Sequence, residues 1–168
     1  VNPCHNAPVP IPFAKSDLFA AHAAALGEQI EALERGAEAA QDGMRVDGDH
    51  RPASRGERGA VSGQAALRAG LLMRGDVLRR ALQDLEALPL DPRSRVAVGA
   101  VARVDDGVDE RWYAVLPGGQ GATIDVGVAV TVVSPAAPVA RALLGLESGD
   151  TAEFHRPDGD LELAVEHL

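Results

Sequence analysis

Aromatic side chains are scarce in this chain: Phe13, Phe19, Trp112, Tyr113 and Phe154 are the five among 168 residues. Any core must therefore be built from Ala, Val and Leu. Too few ring faces exist for the stacking platforms that hold single-stranded nucleic acid. The one cysteine, Cys4, excludes an internal disulfide framework and a cysteine-rich zinc site. No apolar run approaches the ~18–20 residues that span a membrane. No signal-peptide pattern is seen, so a cytoplasmic protein without membrane contact is expected. Basic charge is also in short supply, with 16 Lys and Arg against 25 Asp and Glu and a net charge of −9. That balance opposes a phosphate-tracking surface, so any contact with nucleic acid must be local or carried by a partner protein. What the chain does have is 46% apolar residues, enough for one or two small folded domains.

Residues 1–15 read as an extended tail, because Pro3, Pro8, Pro10 and Pro12 forbid a helix. Residues 16–90 read as an antiparallel coiled-coil hairpin. Ser16 or Asp17 can cap its first helix. Phe19, Ala23, Leu26, Ile30, Leu33, Ala37, Ala40 and Met44 then recur in steps of four and three, a heptad stripe. Glu28, Glu31, Glu34, Arg35, Glu38 and Asp42 fill the solvated faces. A second stripe, Leu71, Gly75, Leu78, Leu82 and Leu85, lies within a helix expected from about Ala60 to Leu88 and ended by Pro89 and Pro92. Gly63, Gly70 and Gly75 weaken that helix by up to ~1 kcal/mol each relative to Ala. The tip, about 45–59, has no apolar period. Each arm of about 28 residues would reach roughly 40 Å, and the narrow stripes suffice to seal two helices but not to build a bundle.

From Arg95 the period changes to two. Arg95–Val104, Glu110–Leu116, one or two strands within Ala122–Val133, Thr151–His155 and Leu161–His167 read as strands. Asp105-Asp106-Gly107, Pro117-Gly118-Gly119 and Pro157-Asp158-Gly159 read as turns. A short helix opens at Pro138, turns Val139, Ala142 and Leu143 inward, and stops at Gly145. The expected fold class is therefore α+β: a helical hairpin followed by a small antiparallel-sheet domain with one short helix over 95–168. Charge divides unevenly. Residues 1–94 hold 11 basic and 13 acidic side chains, net −2, and residues 95–168 hold 5 and 12, net −7.

Ser134-Pro135-Ala136-Ala137-Pro138-Val139-Ala140-Arg141-Ala142-Leu143-Leu144-Gly145, followed by Gly149-Asp150-Thr151-Ala152-Glu153-Phe154, resembles the C-terminal domain of the bacterial Gre transcription elongation factors. The hairpin matches that family by architecture, and the chain is more similar to its divergent Gre-like members than to the two standard cleavage factors. The resemblance implies an FKBP-like C-terminal domain docked on RNA polymerase and a coiled coil inserted in the secondary channel. It implies a monomer with no active site of its own, meeting nascent RNA only indirectly. Within the resembling segment, Pro138, Arg141, Leu144, Gly145 and Asp150 are the candidate polymerase-binding residues. Arg141 and Asp150 would either pair locally or line that contact. In the family, two tip carboxylates help the polymerase hold a second Mg²⁺ and activate water, the chemistry of two-metal hydrolysis.

The tip departs from the family pattern. It carries Asp47, Asp49 and Glu57, where standard factors have a D-L-S-E-N-A-E-Y type sequence. Asp47 and Asp49 lie close together, and Glu57 can face them across the turn and share a Mg²⁺ with the polymerase. The competing reading is a solvated charged loop and a channel-binding inhibitor that does not cleave. Arg51, Arg55 and Arg58 are available to pair with these acids or to touch RNA.

Other features read as structural. Gly118-Gly119-Gln120-Gly121 lacks the Lys and helix of a phosphate loop. Cys4-His5 has no second ligand pair, and His22, His50, His155 and His167 are expected to be exposed. One of Trp112 and Tyr113 is expected in the core, with a partner-facing role open for the other. Two further function classes remain. One is a prolyl isomerase, which would need an aromatic pocket from Trp112, Tyr113 and Phe154. The other is a coiled-coil interaction module.

Overall fold

The computed structural model describes residues 11–44, 55–157 and 159–168, with all of their side chains except those of Glu57 and Arg156. The order is α1 (Lys15–Asp42), α2 (Arg55–Glu86), β1 (Val101–Asp105), β2 (Glu110–Val115), β3 (Gln120–Asp125), β4 (Ala129–Val133), α3 (Pro138–Leu143), β5 (Thr151–Arg156) and β6 (Gly159–His167). The class is α+β, as expected. Residues 24–83 make one compact unit, and residues 1–23 with 84–168 make the other.

In the 24–83 unit, α1 and α2 run antiparallel. Gly36 faces Leu71 so closely that a Cβ there would lie 3.2 Å from Leu71 Cδ1, and Gly43 faces Gln64 Cδ at 3.5 Å in the same sense. Glu34 pairs with Arg79, which also binds Asp76 at 2.6 Å one turn earlier. The heptad stripe is the buried one. Leu26, Ile30, Ala37, Ala40 and Leu78 are buried, and Leu33, Met44, Leu71 and Leu82 are half-buried. Burial of Leu26, Ile30 and Leu78 contributes roughly 1.5–3 kcal/mol each. One boundary moves: α2 begins at Arg55, five residues before the expected Ala60. The weak helix formers Gly56 and Gly59 are carried within it.

In the other unit, six strands form one sheet in the order β3-β4-β2-β1-β6-β5. The all-antiparallel expectation is corrected here, because β2 and β4 pair in parallel, Trp112 opposite Val130 and Val115 opposite Val133. The cause is local. After β2 the chain crosses the end of β4 to reach the sheet edge as β3, then returns as β4 between β3 and β2. The crossing is Leu116–Gly119. Leu116 N–H donates to Val133 O at 2.9 Å, and Gly119 N–H donates to Leu116 O at 3.2 Å. Gly119 presses onto the backbone so tightly that a Cβ would sit 2.4 Å from Val133 C.

Alternation gives the sheet two faces. Ala102, Val104, Val115, Val133, Leu163 and Val165 pack with Ala140 and Leu143 of α3 into one core, joined by Tyr113 and Phe154. The opposite face presents Val101, Arg103, Trp112, Ala114, Val130 and Val132, and the Phe13 ring meets Trp112 edge-on at 5.8 Å. The turns expected at 105–107 and 117–119 form, and Asp158 of the third lies outside the described residues. Asp105 Oδ1 accepts from Gly107 N at 2.8 Å, and Asp106 Oδ1 accepts from Val108 N and Asp109 N. Among the described residues no helix is long and apolar enough to cross a membrane.

Candidate functional site

The segment 134–150 is built as a helix clamped at both ends. Pro138 occupies the first turn of α3, where a missing N–H costs nothing. Ala140 and Leu143 are fully buried and hold the helix on the sheet, with Val139 and Ala142 half-buried beside them. Gly145 ends the helix at φ +91, in the left-handed region, and donates its N–H to Val96 O at 2.8 Å. The next turn is closed by Asp150, whose Oδ2 accepts the Glu147 N–H at 2.8 Å, and by Arg95 on Glu147 at 2.9 Å.

These constraints sort the five candidates. Pro138, Arg141 and Leu144 recur every third residue and share one exposed face, with Leu144 37% accessible although it is a leucine. Arg141 has no ion-pair partner among the described residues. Asp150 is occupied with the backbone of its own turn, so the alternative of a local Arg141–Asp150 pair has no support. Gly145 and Asp150 shape the loop that presents the other three. The face thus joins a cation with no ion-pair partner among the described residues to an apolar contact, on a domain whose net charge is −7. An Arg beside an exposed aliphatic side chain is a composition favoured at protein interfaces.

Asp47 and Asp49 lie outside the described residues, as do His50, Arg51, Cys4 and His5. Glu57 is the third residue of α2 and not part of the loop, a correction to the expected tip. Arg55 and Arg58 also lie in α2. Among the described residues no group of three His, Cys, Asp or Glu is placed to hold a metal ion.

Two histidines expected on the surface are buried. His22, 6% exposed, donates Nε2–H to Pro117 O at 2.9 Å and so ties the start of α1 to the β2–β3 crossing. Its position four residues after the buried Leu18 was the available signal. His167 stands edge-on to Trp112 at 6.4 Å, and burial together with the Arg103 charge lowers its pKa. Arg103 lies between Glu110 at 3.2 Å and Glu166 at 3.9 Å. His155 is exposed as expected, and its pKa is raised by the hydrogen bond to Asp160 at 2.8 Å. Trp112 and Tyr113 are both half-buried, on opposite faces of the sheet. With Phe154 on the Tyr113 side, the three rings do not converge on an isomerase-type pocket.

Residues 91–168 match the family described as transcription elongation factor, GreA/GreB, C-term. No curated protein is significantly similar to the chain. Among solved structures, one of the transcription factor Gfh1 is 20% identical, covers 92% of each chain and has a TM-score of 0.38. The GreA factor homolog 1 protein of Thermus thermophilus is 21% identical over 88% of this chain and 91% of its own, with a TM-score of 0.34. Gfh1 of Thermus aquaticus is 21% identical over 90% and 92%, with a TM-score of 0.37. At these TM-scores the likenesses carry no argument about the arrangement of the chain.

Proposed function

From the match of residues 91–168 to the GreA/GreB transcription elongation factor C-terminal family, we propose that the chain regulates elongation by binding RNA polymerase. The α3 face of Pro138, Arg141 and Leu144 is the anchor, and the α1–α2 hairpin enters the secondary channel. The observation that carries this reading is the exposed Arg141, without an ion-pair partner among the described residues, beside Leu144 inside the family-matched domain. The protein acts as a monomer on the active centre of the polymerase and has none of its own. It touches nascent RNA only where the tip meets it.

Within this reading the chain occupies the channel and does not strongly stimulate cleavage. Glu57 belongs to α2, which leaves Asp47 and Asp49 as the carboxylates between the helices. Those two are the residues that would share a Mg²⁺ with the polymerase, which would supply water activation for RNA hydrolysis. Two assays test the proposal. Full-length chain should bind core RNA polymerase, and Arg141→Glu should weaken binding by at least about tenfold. In a backtracked complex the wild type should release little cleaved RNA, no more than Asp47→Ala or Asp49→Ala. Cleavage lost in those variants would establish the cleaving reading instead, and no binding at low salt by folded protein would remove both.

A further inference from the structure

The two halves of α2 are built differently. From Gly75 onward the helix buries Gly75, Leu78 and Leu85, whereas none of the described side chains from Arg55 to Gly70 is buried. Only Val61, Gln64 and Arg68 are half-buried there. Gly59, Gly63 and Gly70 have no heavy atom within 4 Å of where a Cβ would stand, so no close approach demands glycine at any of them. Each costs the helix backbone entropy without a packing return. Opposite this half, α1 offers Ala37 and Ala40, not leucine. A groove of about 480 Å³ opens along Glu34, Glu38, Asp42, Arg68, Leu72 and Arg79. The approach is closest at Gly36 and Leu71, loosens to ordinary van der Waals contact where Gly43 meets Gln64, and on the other side is joined by the Arg79–Glu34 pair.

We propose that residues 55–70 form a separately melting segment of α2. It opens locally while 75–86 stays paired with α1, so the distal arm is a conformational device with its own opening equilibrium. Local opening of this kind follows wherever buried apolar contacts are few and backbone hydrogen bonds face water. The three glycines set the opening equilibrium, and Leu78 marks where cooperative pairing begins. The inference needs no particular partner and stands or falls apart from polymerase binding.

Hydrogen exchange read by mass spectrometry on the full chain tests it. Amides from 59 to 70 should exchange at least about tenfold faster than those from 75 to 86. The triple variant Gly59→Ala, Gly63→Ala, Gly70→Ala meets no steric obstacle. It should slow exchange in 59–70 by between about tenfold and a hundredfold and leave 75–86 unchanged. Equal protection of the two halves in the wild type would overturn the proposal. So would an unchanged distal arm in the variant, or slowing spread equally over 55–86, which would mean that the hairpin opens as one unit.

Discussion

The β2–β3 crossing is the most constrained point of the sheet, and Gly119→Ala perturbs it alone. The new Cβ would stand 2.4 Å from Val133 C and 2.7 Å from both Val133 O and Ser134 N. All three are backbone atoms, so no side chain can swing away. Relief requires the crossing or the end of β4 to move by about an ångström. That movement strains the Leu116–Val133 hydrogen bond and the Pro117 carbonyl held by His22. Overpacking costs typically about 1–3 kcal/mol, and an obstacle made only of backbone belongs at the upper end. For a unit near a hundred residues, about 3 kcal/mol corresponds to a fall in melting temperature of roughly 10–20 °C. The single tryptophan, Trp112, lies in β2, so its fluorescence on heating reports this unit. Gly121→Ala is the control. It meets nothing within 4 Å but holds φ +79, so it should cost only the left-handed strain of about 1–2 kcal/mol. A Gly119→Ala protein melting within about 2 °C of wild type would refute the account of the crossing.

Three more outcomes follow from the same packing. Leu143→Ala empties the middle of the α3 core, where Leu143 is 0% exposed; chemical denaturation should show a loss of about 3–4 kcal/mol. His22→Leu keeps bulk but removes the donor of the part-buried hydrogen bond to the Pro117 carbonyl, which should cost about 0.5–1.5 kcal/mol in the same measurement. The lowered pKa of His167 means that the unfolded chain binds a proton more readily than the folded one. Its contribution to stability is therefore present above the ordinary value of 6.5 and is lost as pH falls below it. His155, raised by Asp160, acts in the opposite sense at the surface, so denaturation from pH 7.5 to 5.5 is best followed in His155→Ala, where the acid loss should be clearer. A stability that rises on acidification in that variant would contradict the placement of His167.

The hairpin was legible because one rule governs it: every residue of the stripe from Phe19 to Met44 is buried or half-buried. The start of α2 was not, because glycines at 56 and 59 argue locally against a helix that continues through them. In the sheet, alternation marked the strands but could not order them, since a period of two is the same in parallel and antiparallel pairs. Only the tight crossing at Gly119, a contact between residues 14 apart, places β4 beside β2. Pro138, Arg141 and Leu144 were legible as candidates only through the resembling segment, and it is the short helix that puts them on one exposed face. The engagement of Asp150 with Glu147 N–H was not, since a carboxylate looks the same in sequence whether it caps a turn or faces a partner. His22 and His167 were misjudged for the same reason: a polar residue at a buried register needs its partner located before it can be assigned.

The proposal that the hairpin enters the polymerase can be tested by locality. A Met44→Cys variant in a Cys4→Ser background, carrying an iron chelate at position 44 and bound to core RNA polymerase, would generate hydroxyl radicals beside the distal end of α1. The account predicts cuts in the large polymerase subunits next to the catalytic centre. Cuts confined to the outer surface of the enzyme would contradict it.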